Sequence, residues 1–187
     1  MSISGLGGTH FDIAIYLANR PPIDHYPILN QLQALAPGEL SHIVTHTSNH
    51  WRKVFNVYSK FLWALREEAV FQSESQSSWQ CYRDRRLLQH DCREALLFSP
   101  PSFSSTVLST FASPAPSVSS PKVVHIVAGK TYAQTLDLPS DLRWLDGSFA
   151  IAESVSLIVC PYLDYRQLSN ARIERLADLV RGLRASA

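Results

Sequence analysis

Charge is scarce in this chain. Only 18% of its 187 residues are Asp, Glu, Lys or Arg, against ~25% in a typical soluble domain. The two signs nearly cancel, 17 basic against 16 acidic, for a net charge of +1. So weak a global field does not by itself draw a polyanion. Cysteine is scarcer. Cys81, Cys92 and Cys160 are odd in number and no two form a CxxC pair, which excludes a disulfide scaffold and a zinc knuckle. Long apolar runs are missing as well. The stretches 123–127 and 155–159 fall far below the ~18–20 residues of a membrane span. Met1 to Asp12 carries neither a basic leader nor an apolar segment, so no secretory signal is expected. These absences point to reduced thiols, a cytoplasmic protein and no membrane partner.

What is present suffices for a packed core. Hydrophobic residues make up 45% of the chain, and a domain of this length buries roughly 70% of its unfolded surface. One domain is expected over residues 1–187. Residues 1–10 are Gly- and Ser-rich and read as loose. Phe11 to Ala18 is an apolar β-rich run, stopped by Pro21-Pro22. After Pro27, Ile28, Leu29, Leu32 and Leu35 recur at helical spacing up to Pro37-Gly38. A short helix is expected from about Leu40 to His46.

The clearest periodicity follows. Trp51, Val54, Phe55, Tyr58, Phe61, Leu62 and Leu65 form a wide apolar stripe on one helix, with Ser48 placed to cap it. Residues 72–80 are a polar loop, and 79–93 are helical in part. Ala95 to Phe98 reads as a strand. From Ser99 to Pro121, nine of 23 residues are Ser, five are Pro and none is charged. This segment reads as a long surface loop, with at most a helical turn at 106–111. Lys122 to Ala128 and Val155 to Val159 are buried strands. Between them come a short helix at 131–136, a loop at 138–147 and a short strand at 149–151. Ile173, Leu176, Ala177, Val180 and Leu183 define a last helix from about Asn170.

Near-continuous apolar strands alternating with helices predict an α/β fold. The expected form is a three-layer sandwich with a short, mostly parallel four-stranded sheet flanked by helices. In such sheets ligands bind beyond the carboxyl ends of the strands. That rule selects four segments: 19–25, 99–102, 129–131 and 160–166. The candidate ligand-binding residues within them are Asn19, Arg20, Asp24, Lys130, Tyr162, Asp164 and Arg166. Arg20, Lys130 and Arg166 would meet phosphate or carboxylate, and Tyr162 or Tyr165 would stack on a planar group. The competing reading of Asp164 and Arg166 is an ion pair that ties down the loop before the last helix.

Familiar motifs fail. Gly129-Lys130-Thr131 follows a strand but lacks the first glycine of a Walker loop. His42, His46 and His50 recur every four residues, but the first and third would lie ~12 Å apart on a helix. Ser48-Asn49 also marks a break, so these histidines read as solvated or capping rather than metal ligands. No serine sits in a GxSxG elbow, and Cys160 reads as a core residue. The basic residues Arg52, Lys53, Lys60, Arg66, Arg83, Arg85, Arg86 and Arg93 are interleaved with acids and read as a solvated surface. Nothing calls for a metal or a cofactor.

The unit of a strand followed by Gly129-Lys130 and Ala133, with a last strand entering a proline-marked loop, resembles the uracil-DNA glycosylase superfamily. That resemblance implies a short four-stranded parallel sheet between helices. It also implies one functional motif after the first strand and another, typically His-Pro-Ser, after the last. Asn19 to His25 matches the first motif in position. Cys160-Pro161-Tyr162 matches the second, with Cys160 where the family has His. The phrases at 49–56 and 161–170 are similar to an uncharacterised bacterial family of unknown function.

Two functions are therefore expected. One is a domain that binds a nucleotide, a nucleobase or single-stranded nucleic acid without a complete glycosylase site. The alternative is a non-catalytic protein-interaction module. No oligomeric state is implied.

Overall fold

The computed structural model describes residues 3–66, 78–103 and 123–185. In chain order these form β1 (Gly5–Gly7), β2 (Ile13–Tyr16), a 3-10 turn (Tyr26–Ile28), β3 (Leu32–Gln33), α1 (Glu39–His46) and α2 (Asn49–Leu65). They continue with α3 (Trp79–Arg85), β4 (Glu94–Leu97), β5 (Val124–Ala128), α4 (Lys130–Ala133) and β6 (Arg143–Trp144). Then follow β7 (Ala150–Ala152), a 3-10 turn (Glu153–Val155), β8 (Leu157–Cys160) and α5 (Asn170–Ala185). Most of the Ser/Pro-rich loop, the turn at 106–111 and much of the polar loop at 72–80 lie outside the described residues. Among those residues no helix is long and apolar enough to cross a membrane.

The sheet has eight strands in the order β3-β1-β4-β2-β5-β8-β7-β6. Its four middle strands, β4, β2, β5 and β8, are mutually parallel. These correspond to the four apolar runs legible in the sequence. The expected four-stranded sheet is thus the centre of a larger mixed one. β1 lies antiparallel to β4, and β7 and β6 extend the other side antiparallel. Only two or three residues long, the added strands are too short to show a period of two.

The segment read as loose supplies β1, and its glycines explain why it packs there. A Cβ on Gly5 would lie 2.4 Å from the Leu96 carbonyl oxygen, and one on Gly7 2.4 Å from that of Glu94. Gly7 also holds φ +131, which L side chains rarely adopt. Gly7→Ala is therefore expected to cost about 2–4 kcal/mol. Gly182→Ala, in α5 with nothing within 4 Å of its added Cβ, should instead stabilise by about 0.5–1 kcal/mol. Urea denaturation midpoints of the two variants check both signs.

The helix expected after Pro27 is absent. The chain makes one 3-10 turn and then runs extended as β3 beside β1. Arg20 explains the change. Its guanidinium donates to the carbonyl oxygens of Leu29 at 2.5 Å and Pro27 at 3.5 Å, acceptors that a helix would need for itself. Further on, the Leu35 N–H donates to the Leu88 carbonyl at 2.8 Å. Ile28, part of the presumed apolar stripe, ends 81% exposed.

α2 follows its sequence closely. Trp51, Val54, Phe55, Tyr58, Phe61 and Leu65 are all buried. Ser48 holds the N-cap position, though its side chain makes no capping bond. Strand residues alternate between faces. Ile13, Ile15 and Leu17 join α1, α2 and α5 in one core cluster, against which α3 packs Tyr82. Ala14, Tyr16, Val127 and Val159 face the other way, toward Phe103, Tyr132, Leu138 and Leu142. Among the described residues that second face carries the single turn of α4 and loop side chains. The sandwich with helical layers on both faces reduces there to one layer of long helices.

Candidate functional site

From β2 the chain passes through α1 and α2 on the helical face to reach β4. From β5 it passes through α4, whose Ala133 packs on the opposite face. The connections from two neighbouring parallel strands thus leave on opposite sides. This is the topological switch point, where open α/β sheets form a crevice.

Three side chains meet there. Asn19 follows β2, His50 opens α2 and Tyr162 follows β8. The Tyr162 hydroxyl and His50 Nε2 are 2.9 Å apart, and the two rings stack with centroids 5.4 Å apart. The Asn19 amide nitrogen approaches the same hydroxyl at 3.5 Å. Burial lowers the His50 pKa, Lys53 adding to it and Asp164 opposing. Burial also raises that of Tyr162. Both groups are therefore neutral near pH 7.

Gly129 lies beside this string. A Cβ there would sit 3.4 Å from the Tyr162 ring, and φ is +108. Its N–H donates to the Cys160 carbonyl at 2.9 Å, which ties the ends of β5 and β8 together. The Cys160 thiol is buried, which pushes its pKa well up. It is no thiolate nucleophile.

A charged cluster adjoins these three side chains. Lys53 Nζ donates to Asp164 Oδ2 at 2.9 Å, and the Arg166 N–H donates to Asp164 Oδ1 at 2.9 Å. Desolvation raises the Asp164 carboxyl, but the Arg166 amide and the Lys53 ammonium outweigh it and hold the group below the usual carboxylate range. The Lys53 ammonium lies 5.0 Å from the ring centre of Tyr165, and the Arg166 guanidinium 6.0 Å from it. Tyr165 is 54% exposed.

The other candidates from the sequence are engaged elsewhere. Arg20 clamps the 27–29 turn, donates to Ser4 Oγ at 3.2 Å and lies over Phe98. Asp24, at φ +48, accepts from His42 at 2.9 Å. Lys130 sits 4.6 Å over the ring of Trp144. The structure thus brings Asn19 to Tyr162, with Asp164 and Arg166 in the adjoining cluster. His50 and Lys53 escaped the sequence reading. One was grouped with His42 and His46, the other with a solvated helix face. Their nearness to Tyr162 and Asp164 is long-range and left no local signal.

Comparison with curated proteins finds no match, and comparison with solved structures finds none either. A family profile described as a family of unknown function covers residues 4–181. The chain belongs to that family of unknown function, DUF6942.

Proposed function

We propose that the crevice at the switch point binds a small planar ligand of the nucleobase or nucleotide class. The observation that carries this reading is the string from Asn19 through the Tyr162 hydroxyl to His50, gathered from three separated segments. All three groups are neutral. They offer donors, acceptors and an aromatic face, which suits the polar edge of a base better than an isolated phosphate. Asn19 supplies both an acceptor and an N–H donor. Arg166, in the adjoining cluster, would take the phosphate of a nucleotide.

Support for a glycosylase-like scaffold comes from position. The two segments that correspond to that family's motifs, 19–25 and 160–162, are the ones Asn19 and Tyr162 join. The family's histidine is replaced by Cys160, whose thiol is buried. The activity we infer is therefore recognition of a base rather than cleavage of its glycosidic bond.

Thermal unfolding with uracil, uridine, uridine monophosphate and a short single-stranded oligonucleotide tests the reading. A ligand present at ~100 times its Kd stabilises by about 2.7 kcal/mol. For a protein of this size that is a shift of about 5–10 °C. Asn19→Ala and Tyr162→Ala should abolish the shift, and Arg166→Ala should erase only the preference for the phosphorylated ligand. No shift with any ligand would overturn the proposal. It would favour an interaction module, for which Ile28, Trp144 and Tyr165 are the large apolar side chains exposed among the described residues.

A further inference from the structure

We propose that a second site, at the opposite pole of the sheet, binds a small carboxylate with an apolar body. It is independent of the strand-end crevice. A cavity of about 410 Å³ opens where β2 and β4 begin, under the last turn of α2. That volume lies within the ~300–1,000 Å³ of small-ligand pockets. Its floor is apolar, built by Ile13, Leu62 and Leu65, and Trp63 and Tyr82 add aromatic walls. Three arginines also line it: Arg66 from the end of α2, Arg93 before β4 and Arg184 from the last turn of α5.

The charge balance decides the ligand's sign. Among the described residues two acids line the cavity, and both are satisfied from within the protein. Asp12 takes a forked bond from Arg93, with Nε to Oδ2 at 2.8 Å and Nη2 to Oδ1 at 2.5 Å. Glu94 is buried and accepts from the Tyr82 hydroxyl at 2.8 Å and from the N–H groups of Leu88 and Arg93 at 3.1 and 3.2 Å. Neither carboxylate is left to attract a cationic guest. Arg184 makes no ion pair among the described residues. Arg66 lies 3.8 Å over the Trp63 ring. Arg184 is therefore the guanidinium that would meet a carboxylate at the mouth of the cavity, and Arg66, stacked on Trp63, adds positive charge to the wall. Apolar floor, aromatic walls and a cationic lining together fit an aryl or short acyl carboxylate.

Titration calorimetry with 2-naphthoate, against its uncharged analogue 2-naphthalenemethanol, tests this. The expected result is saturable 1:1 binding of the carboxylate, with the alcohol at least ~10-fold weaker. Arg184→Glu should weaken naphthoate by at least ~10-fold. Arg172→Glu, the same charge change at the far end of α5, should leave it unaltered. Arg184 is exposed, so its variant is expected to fold, and a denaturation curve verifies that. Equal affinity for the alcohol, an unchanged affinity in folded Arg184→Glu, or no saturable binding at millimolar naphthoate would each overturn the proposal. None of these outcomes bears on uridine binding at the other pole.

Discussion

Replacing Glu94 with alanine is expected to remove about 3–5 kcal/mol of stability, a large share of the ~5–15 kcal/mol that holds a typical domain folded. Glu94 opens β4, one of the four central strands, and is 3% exposed. Its Oε1 accepts from the Tyr82 hydroxyl and the Leu88 N–H, and its Oε2 from the Arg93 N–H. Leu88 is a buried residue held at φ +60, a conformation that non-glycine residues adopt at a cost. Alanine would strand these donors, at about 1–3 kcal/mol for each one left buried.

Glu94→Gln should cost less, because its amide oxygen still accepts on one side. On the other side its NH₂ would meet the Arg93 N–H. Burial raises the Glu94 pKa above the usual range, and its four hydrogen-bonding neighbours only partly oppose this. The folded value therefore exceeds the unfolded one. The stabilisation from this group is complete below the unfolded carboxyl pKa and is lost as pH rises through the folded value. Urea curves for wild type, Glu94→Ala and Glu94→Gln would measure the effect. A loss under 1 kcal/mol in the alanine variant would show that the network contributes nothing.

Acid should destabilise the protein through His125. This residue lies in the middle of β5, 3% exposed. Its Nδ1 meets the Tyr16 hydroxyl at 2.8 Å, and the Phe103 ring packs edge-on against it. Burial alone lowers its pKa to about 4, from ~6.5 in an unfolded chain. Between those values the unfolded chain holds a proton that the folded one refuses. Stability from this group is thus intact above ~6.5 and falls steadily down to about pH 4, by about 3 kcal/mol in all. Asp164 and Asp146, both held below the usual range, add losses of their own at lower pH. The double variant His125→Phe with Tyr16→Phe removes the buried pair without stranding either partner. Its stability should be flatter than wild type between pH 7 and 4. An identical slope would mean that His125 is protonated in the fold or already neutral in the unfolded chain.

The central strands and the two long helices were legible because each is a sustained pattern. Ile13 to Tyr16 is apolar throughout and Val124 to Ala128 is broken only by the buried His125, as suits strands covered on both faces. The stripe of α2 repeats over four turns. β1 was hidden because its glycines serve close backbone approach, which carries no hydrophobic period. β3 was masked by Ile28, Leu29, Leu32 and Leu35, whose helical spacing was overridden by Arg20 binding the carbonyls of Pro27 and Leu29. The candidate site was legible in part for a related reason. Strand ends can be located from sequence, so Asn19 and Tyr162 were found. What a cation does there depends on neighbours far along the chain. Arg20 meets a turn, Lys130 a tryptophan on the edge strand, and Lys53 the carboxylate of Asp164.

The central claim is that the switch-point crevice holds a planar base. A titration of ¹⁵N-labelled protein with uridine, followed by amide chemical shifts, tests it most directly. Uridine carries no charge, so the arginine-lined cavity should not take it. The account predicts saturable shifts concentrated at Asn19, His50, Gly129 and Tyr162, all lost in Asn19→Ala. Shifts that never saturate, or that saturate at residues away from these four, would contradict it.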